Sequence, residues 1–504
     1  MLPLPARVVV VSFRFRPNPD DIHGGQDAFV HDLVRELKER GTTVEVVTFR
    51  GKDDAPQAIC DGARVHLLET RHSPLLTAHE AHRQGTWQLL EVMEAYSDAV
   101  ERFLSELRAR WRGPLLLLNQ DIGEARWVRS ARLAGDTIVT FAHVFFSEFA
   151  LEDLTLAELE RMHRVARFPL PMLAFGRLLL SRPDARRQLE RTARYFRRPE
   201  LGRLLPGPAR AALAGERAAF VDAQHVLFPS AVMRQKVAAT YPRPDPNAWS
   251  LAPWGVHLTP PAEDQVAQTA AALGIGDDDQ VLVTMSRLSP DKRLDRLLEA
   301  VRLLELRAPE LAERLVLVIC GRPSFFQDES YARGLYAQAA QLKCAKVVFP
   351  GFLRGGARTA HLLLAGLGPE GPQAFDLATP GRRGRFVQIG RYEAFGLGIA
   401  EALSLGIPVI TSDTDGAREI LDRERCPEAH AAAEIVRPMG DESFELALSR
   451  SIERTLGDDR QLGAARAART VGAHFRWEST LQHLAKTLTP ASSGRPRLGS
   501  RAGR

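Results

Sequence analysis

The sequence predicts an α/β protein made of two doubly wound parallel-sheet domains, and three observations carry that prediction. Short runs rich in Val, Ile and Leu recur along the chain, each followed by a polar loop and then an amphipathic helical stretch. This plan begins twice, once near residue 8 and again near residue 280. The 504 residues leave room for both copies at ~150 residues per domain. Alternating strands and helices place helices on both faces of a sheet, so the strands are buried on both sides and read as unbroken apolar runs.

In the first copy, residues 8–13 form a β-branched strand, and a polar loop with Pro17, Pro19, Gly24 and Gly25 follows. Residues 26–40 put Phe29, Val30, Leu33, Val34 and Leu37 on one helical face, and Gly41 stops that helix before a strand at 44–49. Strands at 115–118 and 137–141 continue the pattern. In the second copy, a strand at 281–285 leads through the loop 286–292 into a helix with Leu294, Leu297, Leu298, Val301 and Leu304 inward. A strand at 315–320 follows and ends at Gly321, with further strands expected at 347–349, 386–389, 408–411 and 434–436. The expected boundaries are 1–255 for the first domain, with an Arg-rich helical insert at about 145–216, and 256–470 for the second. Residues 366–384, rich in Gly and Pro, read as a long loop, and 490–504 as a disordered tail.

Composition narrows the function classes. Hydrophobic residues at 45% and charged residues at 26% exclude a wholly disordered, collagen-like or coiled-coil chain. Lys+Arg 67 against Asp+Glu 62 leaves a net charge of only +5. A nucleic-acid binder needs its cations gathered on one face, so no nucleic-acid partner is expected. The four cysteines have no CxxC spacing, and no metal site or disulfide framework is expected. The apolar run after residue 8 is short and broken by Arg14 and Arg16, and no stretch approaches ~20 apolar residues. A cytoplasmic protein is expected, with peripheral membrane contact disfavoured.

Ligands of open α/β sheets sit beyond the carboxyl ends of strands. Neither first loop carries GxGxxG, which argues against NAD. The loop 286–292 instead carries Arg287 and Lys292, a planar fork and a point charge suited to a diphosphate. In the stretch 393–402, Gly396 and Gly398 open a helix whose N–H groups and dipole suit phosphate oxygens. Glu393 precedes that turn and Glu401 follows two helical turns along. Carboxylates beside an anion site make sense where they accept bonds from hydroxyls, and a nucleotide sugar offers these on sugar and ribose. Each stretch alone also fits an ordinary solvated surface; their combination is the signal.

That combination resembles the retaining glycosyltransferases of family four, whose GT-B fold holds a nucleotide sugar between two Rossmann-like domains without a divalent metal. The likeness rests on an E-x7-E motif at Glu393 and Glu401 preceded by an R-x4-K loop at Arg287 and Lys292. It extends to Gly24-Gly25-Gln26, to the strand end Thr140-Phe141-Ala142-His143, to Phe228-Pro229-Ser230 and to the linker Trp254-Gly255-Val256. Phe475-Arg476-Trp477-Glu478 is similar to the start of the last helix, expected over 471–489 and crossing back onto the first domain. Gly-Gly-Gln, the insert after His143 and Ser-Arg before the lysine resemble the sucrose-phosphate-synthase and sucrose-synthase-like branch.

The resemblance implies roles. Arg287 and Lys292 hold the diphosphate, Glu401 the ribose hydroxyls, and Glu393 the donor sugar. The backbone of Phe395, Gly396 and Leu397 surrounds sugar and phosphate, His143 reaches the sugar from the other domain, and Gly24 and Gly25 allow close approach. Arg14, Arg16 and Gln26 face the acceptor, where two cations suit an anionic acceptor such as a sugar phosphate unless Asp20 and Asp21 neutralise them. No cofactor beyond the nucleotide-sugar substrate is implied. Ser286 and Arg293 replace common glycines, which bears on donor sugar and base. A nucleotide-sugar 2-epimerase on the same fold, and a basic adaptor binding RNA or membrane through the Arg-rich insert, stand as alternatives.

Overall fold

The computed structural model describes residues 7–18, 24–77, 80, 86–111, 113, 115–144, 207–241, 248–323, 326–366, 384–422, 424–457 and 461–488. Asp20, Asp21, most of the Arg-rich insert, most of the loop expected at 366–384 and the tail lie outside them; the insert's described end begins with the helix Gly207–Arg217.

The fold is GT-B: two α/β units, each built on its own sheet. The first sheet has eight strands: β1 (Arg7–Val11), β2 (Thr43–Phe49), β3 (Gln57–Cys60), β4 (Ala63–Leu68), β5 (Leu116–Asn119), β6 (Thr137–Phe141), β7 (His225–Phe228) and β8 (Trp249–Leu251). Their order is β3-β4-β2-β1-β5-β6-β7-β8, and every pairing is parallel except β3 with β4. The exception is a hairpin closed by Asp61 and Gly62 at φ 47° and 73°, the backbone sense that matches strand twist. Neither hairpin strand was expected, because their runs are short and partly exposed.

The second sheet has six strands: β9 (Gln280–Met285), β10 (Leu315–Cys320), β11 (Lys346–Gly351), β12 (Gly384–Gln388), β13 (Val409–Ser412) and β14 (Ala433–Val436). All pair in parallel, in the order β11-β10-β9-β12-β13-β14. The strand order reverses at β1/β5 in the first sheet and at β9/β12 in the second, and those two crevices are where ligands are held in such sheets.

Helix Gly25–Glu39 buries Phe29, Val30, Leu33, Val34 and Leu37 on the first sheet, as its periodicity predicts. Helix Leu294–Arg307 does the same on the second with Leu294, Leu297, Leu298, Val301 and Leu304. The last helix, Trp477–Leu488, returns to the first unit. Its Trp477 ring lies 4.9 Å from Phe29, and Phe29 lies 5.0 Å from Trp254 of the linker. The Gly255 N–H donates to Thr480 Oγ1 at 2.8 Å, Thr480 donates to Pro253 O at 2.7 Å, and the Val256 N–H donates to Phe475 O at 3.0 Å. A Cβ on Gly255 would lie 2.7 Å from Trp477 Cα, so only glycine allows the two segments to meet. One buried apolar cluster therefore runs from the first sheet through Trp254, Phe395, Phe475 and Trp477 into the second.

Candidate functional site

The crevice at the β9/β12 reversal explains why residues 101 apart in sequence touch. The loop after β9 carries Arg287 and Lys292, and the loop after β12 carries Glu393. Lys292 Nζ donates to Glu393 Oε1 at 2.5 Å, with both side chains mostly buried. Asp291 stands between the two cations, 3.3 Å from Arg287 and 3.7 Å from Lys292, and accepts from Ser289 Oγ at 2.5 Å. Burial raises the Asp291 carboxyl, but Arg287 and Lys292 outweigh it and leave it below its usual range. The Arg391 N–H donates to Asp291 O at 2.7 Å and ties the two loops together.

Gly396 opens helix Leu397–Ser404 at φ 95°, a left-handed turn that glycine adopts without cost. The helix thus begins in the loop after β12 that also carries Glu393, and the dipole at its N-terminus favours an anion. From the first unit, Gly25 comes so close to Leu397 that an added Cβ would lie 3.3 Å from Leu397 Cδ1. Gly24 differs: its backbone is extended and the space beside it is open, so nothing there requires glycine. The Phe395 ring lies 6.3 Å from Trp254 and 5.7 Å from Phe475, which seats the motif against the linker.

His143, just past β6, is buried, and its Nε2–H donates to Gln120 Oε1 at 2.8 Å. Burial alone pulls its imidazole down to about 3, so the ring is neutral at working pH and acts as a hydrogen-bonding group rather than a cation. Gln26 Nε2 donates to Gln120 O at 2.7 Å, which brings Gln26 and His143 onto one residue. Gln120 was not among the sequence candidates; its position directly after β5, at the first sheet's reversal, is the signal that finds it.

Arg16 departs from the expected acceptor role. It is 5% exposed, and its Nη1 donates to Phe49 O at 2.9 Å, so this cation secures the end of β2. Arg14 stays half-buried in that loop, within electrostatic reach of the buried acids Asp121 and Glu124. Burial raises both carboxyls, and Arg14 opposes the rise.

Glu401 is not left free for hydroxyls alone. Arg358, on helix Gly355–Leu363, donates from Nη1 to Glu401 Oε1 at 2.6 Å and from Nη2 to Oε2. Nearby, Phe352 is 37% exposed and flanked by the guanidinium groups of Arg322 and Arg354 at 4.7 and 4.9 Å.

Across the crevice, Asp32 of helix Gly25–Glu39 pairs with Arg35 at 3.2 Å. Burial raises its carboxyl to about 7, helped by Glu401 and Glu36 and opposed by Arg35 and Arg358. The folded chain therefore holds this proton more tightly than the unfolded chain, and stability falls as pH rises from the ordinary carboxylate value of about 4 to about 7. Asp32→Asn should raise the thermal midpoint more at pH 8 than at pH 5. An equal gain at both pH values would contradict this assignment.

Comparison with known proteins bears on the family and the fold. Residues 266–365 match the family described as Glycosyl transferases group 1, and residues 386–484 match Family 4 Glycosyltransferase in conflict systems. The D-inositol 3-phosphate glycosyltransferase of Stackebrandtia nassauensis is 25% identical over 422 residues, 82% of this chain and 77% of that protein. Among solved structures, sucrose-phosphate synthase from Thermosynechococcus elongatus superposes with a TM-score of 0.62 at 17% identity, covering 96% of this chain and 98% of that one. Anabaena HepE, solved in complex with UDP and glucose, gives 0.57 at 15% identity, covering 95% and 98%.

Proposed function

Because the chain belongs to the family 4 glycosyltransferases of GT-B fold, we propose that it is a cytoplasmic, retaining enzyme moving a sugar from a nucleoside diphosphate sugar to a hydroxyl of a small acceptor. The observation that carries the proposal is the contact of Lys292 with Glu393 in the β9/β12 crevice, with Arg287 alongside. One end of this set suits the diphosphate and the other the hydroxyls of the transferred sugar. The binding of UDP and glucose by HepE supports the donor class, and neither the epimerase nor the adaptor reading gains from the comparisons.

In the proposed reaction, the bond from the anomeric carbon to the phosphate oxygen breaks and the diphosphate leaves with the electron pair. Arg287, Lys292 and the N-terminus of helix Leu397–Ser404 stabilise that developing charge. The acceptor oxygen bonds to the anomeric carbon on the face just vacated, and its proton passes to the departing phosphate. Glu393 holds the donor sugar, and the neutral His143 approaches it from the first unit. Side-chain cations fill the place that a divalent ion would take, so no metal is needed.

The acceptor is proposed to be anionic, a sugar or polyol phosphate read by Arg14. D-inositol 3-phosphate glycosyltransferases and sucrose-phosphate synthase among the similar proteins support this class. Incubation with a panel of UDP-, ADP- and GDP-sugars should release a nucleoside diphosphate, faster with a phosphorylated acceptor than with its parent. The rate should survive exhaustive EDTA. Loss of turnover that Mg²⁺ or Mn²⁺ restores would overturn the metal-free version, and release from no donor would overturn the reaction class.

A further inference from the structure

The turn Pro290–Lys292, which presents Lys292 to Glu393, is followed at once by a cation with different surroundings. Arg293 has φ 54° and ψ 33°, in the left-handed region that costs residues other than glycine. Its side chain lines a cavity of ≈ 400 Å³ together with Pro290, Asp295, Arg296 and Arg391. None of Arg287, Lys292 and Glu393 lines this cavity, and neither does any residue of the first unit. The helix Leu294–Arg307 at its wall packs into an apolar cluster made of second-unit residues only, whereas the cluster on the other sheet face is shared with the first unit.

Among the residues that line the cavity, three guanidinium groups meet one acid, Asp295, which accepts from the Tyr331 hydroxyl at 2.7 Å. Glu445, on helix Phe444–Gly457, accepts from Arg296 Nη1 at 2.7 Å, and the Arg293 guanidinium lies 5.7 Å from the Phe444 ring. Burial, then Arg296 and Arg391, hold the Arg293 guanidinium below its usual range, against Asp295 and Glu445. Arg293 and Arg296 also stand at the first turn of helix Leu294–Arg307, the positive end of its dipole. Backbone strain, mutual repulsion and the dipole all oppose this gathering of cations. An oxyanion among them reverses the last two, and guanidinium forks match phosphate oxygens. The volume falls in the range of small-molecule sites and leaves room for an organic group beside one phosphate.

We propose that this cavity is a second anion site that takes the phosphate group of a small phosphomonoester, and that its occupant tightens donor binding. Arg293 belongs to the loop after β9 and Arg391 to the loop after β12. A phosphate held by both therefore bridges the two loops that carry Lys292 and Glu393, at the junction where the Arg391 N–H donates to Asp291 O. The coupling rests on the donor reading above; the site itself does not.

The test is calorimetric titration of the full chain with glycerol 3-phosphate and with inorganic phosphate, repeated on Arg293→Gly, Arg391→Ala and Arg14→Ala. Arg293→Gly relieves the left-handed backbone, so it should fold at least as stably as the unmodified chain. It should nevertheless weaken phosphate binding ~10–100-fold, the scale for losing a hydrogen bond to a charged group. Arg391→Ala should weaken it similarly, and Arg14→Ala should leave it in place. No phosphate binding by the unmodified chain, or undiminished binding in both Arg293→Gly and Arg391→Ala, would overturn the site. The ester should bind more tightly than inorganic phosphate; equal affinity would overturn the ester and keep the site for free phosphate. Saturating ester should lower the Kd of the nucleoside diphosphate at least ~5-fold in the unmodified chain and not in Arg293→Gly. An unchanged Kd would overturn the coupling. Binding of no nucleoside diphosphate defeats the donor reading and the coupling with it, while the phosphate titrations still decide the site.

Discussion

Arg287→Ala and Lys292→Ala should each cut turnover ~10²–10³-fold, the scale for losing one preorganised electrostatic contact to a developing charge. The two variants should differ in what else they disturb. Arg287 pairs with Asp291 within its loop, whereas Lys292 pairs with Asp291 and also holds Glu393 at 2.5 Å. Lys292→Ala leaves Glu393 as a mostly buried carboxylate without its cation, and so should also weaken binding of the donor sugar. Steady-state kinetics on both variants, with circular dichroism as the folding control, separates the effects. Near-normal turnover in both folded variants would remove this loop from the site.

Trp477→Ala should lower the unfolding free energy by ~3–5 kcal/mol, the cost of truncating a large buried aromatic side chain. Trp477 is 3% exposed and packs on Phe29, while its backbone closes against Gly255. The loss should reach beyond stability, because the same cluster seats Phe395 beside the donor loop. Urea unfolding measures the first effect and nucleoside diphosphate binding the second. An unchanged midpoint would show that the returning helix does not anchor the two units together.

The candidate residues were legible in the sequence because their signals are local. Glu393, Gly396 and Glu401 lie within one loop and one short helix, and Arg287 and Lys292 within another loop; either stretch alone fits a solvated surface, and only their combination resembles a known family. Their meeting is a property of the sheet, and the sequence expresses it only through the order of apolar runs that place β9 beside β12. Arg358 was invisible for two reasons. It is one arginine among many, and its partner lies 43 residues away across helix packing. Arg16 misled in the opposite direction: a cation in a polar loop reads as solvent-facing, yet its stem is buried and its guanidinium satisfies a strand-end carbonyl. Among the strands, β1, β2, β9 and β10 announced themselves as long β-branched runs. The β3–β4 hairpin and β7 and β8 did not: β3, β7 and β8 have only three or four residues, and the six-residue β4 alternates Ala63, Val65 and Leu67 with Arg64 and His66 instead of forming an unbroken apolar run.

Thermal unfolding in the presence of UDP, ADP and GDP tests whether Arg287 and Lys292 hold a nucleoside diphosphate in the β9/β12 crevice. A ligand that binds only the folded protein stabilises it by about 2.7 kcal/mol at a hundredfold excess over its Kd. One of the three should raise the midpoint of the unmodified chain with saturable dependence on concentration, and should leave that of the Arg287→Ala/Lys292→Ala double variant where it stands. A midpoint unmoved by all three, or raised equally in the double variant, would show that these two cations hold no nucleoside diphosphate.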